Sequence, residues 1–179
     1  MITEEGGITK ILSAMEKHSY NSYVQEYGCA ALWSLAWHND GGAEYWSRAW
    51  DNDDIMLTTS KKAIRRVCKV MENHLSNSNL QHYGCAALCN LAVNDINKVT
   101  IFDEGGIATI LSAMRTHLSK VDVQHYGCAA LFNLALNDIN KLKITEERGI
   151  ATILSALKTH SSNADLQPLG LDALEVLTS

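Results

Sequence analysis

Apolar positions along this chain follow the spacing of helices. The pattern is clearest between Asp95 and Leu136. Ile107, Ile110, Leu111 and Met114 fall at i, i+3, i+4 and i+7, one stripe on one helical face. Ahead of them, Asp95–Phe102 reads as a short helix that stops before Gly105-Gly106, a pair that breaks helices and permits a sharp turn. After them, a polar link containing Ser119, Lys120 and Asp122 leads to a third helix, on which Val123, Gly127, Cys128, Leu131 and Leu134 keep helical spacing. The second-helix stripe recurs as Ile8, Ile11, Leu12, Met15, as Ile64, Val67, Cys68, Met71, and as Ile150, Ile153, Leu154, Leu157. Alternating β-branched runs are absent and proline occurs once, at Pro168, so the pattern predicts an all-α fold.

The chain also repeats residue by residue. Tyr27-Gly28-Cys29-Ala30-Ala31-Leu32 returns as Tyr83-Gly84-Cys85-Ala86-Ala87-Leu88 and as Tyr126-Gly127-Cys128-Ala129-Ala130-Leu131. A degraded copy is Leu169-Gly170-Leu171-Asp172-Ala173-Leu174. Gly84, Gly127 and Gly170 are 43 residues apart, whereas Gly28 and Gly84 are 56 apart, which places a 13-residue insertion in one copy. A fixed period of this size marks stacked units that cannot bury their apolar faces alone and that present surface for binding. Each glycine costs its helix about 1 kcal/mol of propensity. Its return in all four copies predicts close helix–helix approach there.

A short helix, Gly-Gly-Ile, a second helix, then Val-Gln-x-x-Gly-Cys-Ala-Ala-Leu-x-Asn-Leu-Ala resembles the armadillo repeat, and the Asn-x-x-Asn-Lys segments at 94–98 and 137–141 match its first helix. The resemblance implies a right-handed superhelical solenoid of about four three-helix units, the first and last incomplete or atypical. They form a single domain over 1–179, with units at about 1–40, 41–93 (insertion near 41–60), 94–136 and 137–179. It further implies that the third helices line a concave groove that binds an extended peptide or a partner protein. The proline common after Gly-Gly in that family is absent here. The tryptophan that nuclear-import members place four residues before the groove asparagine is alanine here (Ala86, Ala129), which speaks against an import signal as ligand.

Ile2-Thr3-Glu4-Glu5-Gly6-Gly7-Ile8 parallels Ile144-Thr145-Glu146-Glu147-Arg148-Gly149-Ile150, so residue 1 falls at the tail of a first helix. The last helix, 164–177, carries Leu166, Leu169, Leu171, Leu174 and Leu177 without the polar outer face of a capping repeat. A piece of a longer solenoid, or a chain whose ends meet a partner or another copy, is the expectation.

Composition narrows the partners. At 179 residues and 46% hydrophobic the chain can bury a core, and 15 basic against 20 acidic residues give a net charge of −5. Nucleic acid is not expected, because phosphate-backbone binding needs a clustered basic face. The one basic cluster, Lys61-Lys62 with Arg65-Arg66, reads as a solvated helix face. Neither a signal peptide nor a membrane span is apparent. Of five cysteines, Cys29, Cys85 and Cys128 share one repeat position, which suits small core residues in a reducing compartment. A cytoplasmic location follows, with the nucleus open.

The candidate site lies on the third helices. By the resemblance, Asn90 and Asn133 would hold a peptide's backbone, a task for which an amide both donates and accepts; the alternative is that they bond a neighbouring helix. Ser34 and Val176 stand at the same position in the outer units. The residue before it varies (Trp33, Cys89, Phe132, Glu175), as does the one three after it (Trp37, Val93, Leu136), as side-chain pockets on a constant frame would. His82, His125 and Glu26 complete the set. Trp33 and Trp37, and Trp46 and Trp50 in the insertion, are aromatic pairs that either anchor a partner or pack on each other. The acidic Asp51-Asn52-Asp53-Asp54 run either attracts a basic ligand or is a solvated loop. His18, His74, His117 and His160 end each second helix, where a donor suits the exposed carbonyls. His82, Cys85 and Cys89 share a helix face but have no fourth ligand, so no metal is expected. No phosphate loop and no nucleophile–base set stands out; neither a cofactor nor an enzymatic activity is expected.

Overall fold

The structure, a computed structural model, describes residues 4–36 and 54–179. The described residues form helices and turns. The helices are α1 (Glu4–Lys17), α2 (Ser22–Ala36), α3 (Asp54–Asn73), α4 (Ser78–Leu91), α5 (Asp95–Asp103), α6 (Gly106–Thr116), α7 (Val121–Ala135), α8 (Asp138–Glu146), α9 (Gly149–Thr159) and α10 (Leu166–Thr178). None is long and apolar enough to cross a membrane.

The helices stack in two layers. One layer is α2 on α4 on α7 on α10, and the other is α1 on α3 on α6 on α9, with each member packed on its successor in the chain. The core lies between the layers. Ile64, Val67 and Met71, Ile107, Ile110, Leu111 and Met114, and Ile8 and Met15 are buried from one side, and Cys85, Leu88, Val123, Cys128, Leu131 and Leu134 from the other. Leu154 departs from the predicted stripe: it is 52% exposed, although Leu111 at the same repeat position is 0% exposed, because no further helix of the described chain packs on that side of α9.

The glycines of the third helices do what their recurrence predicts. A Cβ on Gly28, Gly84 or Gly127 would stand 2.5 Å from Met15, Met71 or Met114, and one on Gly170 equally close to Leu157. The second helix crosses the third at that point and leaves no room for a methyl group.

Gly105-Gly106 divides its work between two residues. Gly105 takes a left-handed φ of 72°, while a Cβ on Gly106 would meet the side chain and carbonyl of Ile101. In the next copy Gly149 keeps the second role, but Arg148 holds the left-handed position at φ 61°. In α3 the same two places are Lys62 and Ala63. With no breaker there, the chain runs as one 20-residue helix. Residues 54–60, expected to belong to the insertion, are therefore its first turns.

The helix ends are satisfied by side chains. Asn94 and Asn137 cap α5 and α8, each accepting from two backbone amides. A glutamine three residues before each third-helix glycine closes the second helix. Gln25, Gln81, Gln124 and Gln167 each donate two bonds of 2.8–3.1 Å, to the carbonyls of Met15 and His18, Met71 and His74, Met114 and His117, and Leu157 and His160. The histidine rings thus do not bond the carbonyls of their own helices, although His117 and His160 are the C-cap residues. The ring Nε2 atoms of His74, His117 and His160 instead reach the carbonyls of Ser19, Leu75 and Leu118 just after the preceding second helix of the stack.

Candidate functional site

Along α2, α4 and α7 one face carries aromatic rings that touch across helices. The Trp33 indole lies 5.9 Å from the Tyr83 ring, 6.0 Å from His82 and 5.5 Å, edge-on, from Tyr126. It therefore spans from α2 over α4 to α7. His82 stacks on Tyr83 at 4.6 Å and on Tyr126 at 5.1 Å, and His125 meets Tyr126 edge-on at 5.1 Å. These rings are half-buried, with Trp33, Tyr83, Tyr126, Cys89 and Phe132 resting on the core. Burial among the rings holds the His82 imidazole below its ordinary range, opposed by the charge of Asp122 and assisted by His125. Burial, then Cys89 and Asp122, holds the Tyr126 phenol above its own.

The two asparagines point along the stack. Asn133 donates Nδ2 to the carbonyl of Cys89 at 3.1 Å, and Asn90 donates Nδ2 to the carbonyl of Trp33 at 3.4 Å. Each amide thus grips the backbone at the variable position of the helix before it. Of the two roles open from sequence, bonding the neighbouring helix is the one present. Asn133 Nδ2 also lies 3.6 Å from Cys89 Sγ, and the Oδ1 of each amide remains for other partners. At α4 the carbonyls near the helix end are accounted for. Leu88 receives Ala92 N, Cys89 receives Asn133, Asn90 receives Val93 N, and Leu91 receives Asn94 N and the Asn97 side chain.

The other candidates divide. Ser34 is exposed, and Phe132 sits half-buried beside Asn133. Glu26 accepts from the side chains of Asn77 at 3.1 Å and Asn79 at 3.4 Å, so it ties α2 to the start of α4. Trp37, Trp46, Trp50 and the 51–53 part of the acidic run lie outside the described residues. Cys85, on the same helix face as His82 in projection, is turned fully into the core. All five cysteines are free. Burial pushes the thiols of Cys29, Cys68, Cys89 and Cys128 up to about 12 and that of Cys85 upward as well, so they are protonated and unreactive at neutral pH.

Tyr83 and Tyr126 were read in the sequence only as part of the repeated motif. Their signal was available: each follows a histidine and precedes the close-contact glycine, so both rings must leave the core side. The basic cluster is the solvated helix face expected, with Lys61, Lys62 and Arg65 exposed, and it also carries ion pairs. Arg65 donates twice to Glu104 (2.9 and 2.7 Å), and Arg66 lies 3.5 Å from Glu16 across a cleft of about 450 Å³ between α1 and α3, which Lys62 and Lys69 also line.

Comparison with known proteins agrees with this architecture. A curated relative, protein aardvark of Dictyostelium discoideum, is 37% identical over 104 residues, which are 58% of this chain and 13% of that protein. The chain thus matches a small part of that relative's length. The crystal structure of an engineered protein superposes on the fold with a TM-score of 0.57 at 20% identity, covering 96% of this chain and 81% of the other. The family profile described as LRRK2 ARM repeat matches residues 61–179. With its stacked helices and recurring glycine turns, the chain belongs to this armadillo-repeat family.

Proposed function

We propose that this chain is a non-enzymatic interaction scaffold that binds an extended peptide or a partner protein along its third helices. In this reading the stack is a right-handed superhelix of about four three-helix units, and α2, α4, α7 and α10 lie on its concave side. The third helices pack on one another more extensively than the second helices do, as the inner side of a curve requires. Armadillo repeats generally mediate protein interactions, and the proposed setting is the cytoplasm or nucleus.

One observation carries the reading: a half-exposed cluster of Trp33, His82, Tyr83 and Tyr126 rings crosses three successive helices beside Asn90 and Asn133. Rigid aromatic surface of this kind dominates interface energetics. Layers about 8–10 Å apart meet an extended chain every two to three residues at roughly 3.3 Å each, so a ligand of about six to ten residues would span the face. The test is selection of peptides from a random display library on the whole chain, repeated on a Trp33→Ala, Asn90→Ala, Asn133→Ala variant whose melting confirms folding. A selected consensus that loses binding to the variant supports the reading. Failure to select any consensus, or equal binding to both, sinks it.

A second reading, assembly through the apolar end of the stack, rests on Leu154 and Leu171. They are 52% and 58% exposed where Leu111 and Cys128, their equivalents one layer earlier, are fully covered. Concentration-dependent sedimentation abolished by Leu154→Ser and Leu171→Ser would favour it.

A further inference from the structure

A second apolar surface lies on the short first helices. Ile96 and Val99 have equivalents 43 residues on in Ile139 and Leu142, and all four are exposed, from 49% at Val99 to 66% at Leu142. The inward residues of the same helices, Ile101 and Ile144, are buried, so α5 and α8 are apolar on both sides. The two helices are held together, because Asn140 of α8 donates to the carbonyl of Lys98 of α5 at 3.2 Å. The four exposed residues therefore belong to two adjacent helices and form one apolar strip.

The strip has acidic borders. Ile96, Val99 and Asp103 stand at i, i+3 and i+7, and Ile139, Leu142 and Glu146 repeat the arrangement. Asp95 and Asp138 open the two helices. Lys98 pairs with Asp95 at 2.6 Å, Lys143 pairs with Glu147 at 3.0 Å, and Lys141 bonds Ser179, so each of these lysines is already engaged. Asp103 and Asp138 form no ion pair among the described residues.

We propose that the outward faces of α5 and α8 dock an amphipathic helix of a partner protein, with an apolar stripe flanked on both sides by Lys or Arg. The acidic borders select the basic flanks. The spacing selects the helix. Neighbouring helices lie about 8–10 Å apart, and a helix rising about 1.5 Å per residue meets α5 and then α8 after about seven residues. Its apolar stripe then returns once per contact.

The probe is a synthetic 21-residue helical peptide with leucine at heptad a and d positions and lysine or arginine elsewhere, titrated against the whole chain by fluorescence anisotropy. Its controls are a peptide of the same composition with scattered leucines and a leucine-striped peptide with glutamates. The striped basic peptide is expected to bind at least about tenfold tighter than either control, a difference of about 1.4 kcal/mol. Ile96→Ser with Ile139→Ser, and separately Asp103→Lys with Glu146→Lys, should each weaken it by at least about tenfold, whereas Trp33→Ala should not. Equal binding of the scattered or glutamate peptide, or variants that bind as wild type, overturns the proposal. So does a dimer of this chain that the serine pair dissociates, since the occupant is then a second copy.

Discussion

The amide of Asn133 donates to the backbone carbonyl of Cys89, 44 residues earlier in the chain, and completes the end of a helix to which it does not belong. Asn133→Ala leaves that carbonyl without its partner. It should cost about 1–3 kcal/mol, lowering the melting temperature by roughly 2–4 °C per kcal/mol. Asn133→Asp, which cannot donate, should be no milder at neutral pH. A melt of Asn133→Ala indistinguishable from wild type would show that the bond contributes nothing.

Gln124 closes α6 from inside the core, with both of its N–H groups used on the carbonyls of Met114 and His117. Gln124→Glu preserves shape and removes both donors while adding charge in a buried place. A loss of about 2–4 kcal/mol in urea unfolding is expected, larger than for Gln124→Met. If glutamate were tolerated as well as methionine, carbonyl satisfaction would not be the role of this residue.

His82 carries a pH dependence. Burial holds its folded-state pKa below the ordinary 6.5, so the unfolded chain takes up a proton more readily. Its contribution to stability is intact above that ordinary value and lost as pH falls through the window below it. Melting followed from pH 7.5 down to 5 should fall more steeply for wild type than for His82→Gln. Parallel curves would remove His82 as the cause.

The left-handed turn offers a matched pair. Gly105→Ala meets no neighbour, so its cost is the φ of 72° alone, about 1 kcal/mol. Arg148→Gly at φ 61° relieves a comparable strain, partly offset by the greater freedom of glycine in the unfolded chain. Equilibrium unfolding should show the first variant weaker than wild type and the second equal or stronger. The reverse order would mean that the turn is not under conformational strain.

The periodic part of this fold was legible in the sequence because helix stripes and close-contact glycines are local patterns. The stripe from Ile107 to Met114, and close helix approach at Gly127, could be read without knowing what packs where. The single helix α3 was legible too, had Lys62-Ala63 been compared with Gly105-Gly106. Gln124 was not legible. A glutamine on a helix looks solvated until the chain folds back and brings two carbonyls seven and ten residues away within reach. The reach of Trp33 to Tyr126 depends on a stack of three helices, a distance along the chain that no window of residues spans. The candidate asparagines showed the converse limit: the sequence left two roles open, and the partner present is a neighbouring backbone.

The bonds from His117 to Leu75, from His160 to Leu118 and from Asn133 to Cys89 all run from one layer back to the one before. Each layer therefore finishes the hydrogen bonding of its predecessor. Detaching one layer exposes groups on two, so the free energy of the stack resides in its junctions as much as in its units. Such a chain should lose structure in long cooperative blocks, and a substitution at one junction should be felt in the amide exchange of the layers on both sides of it.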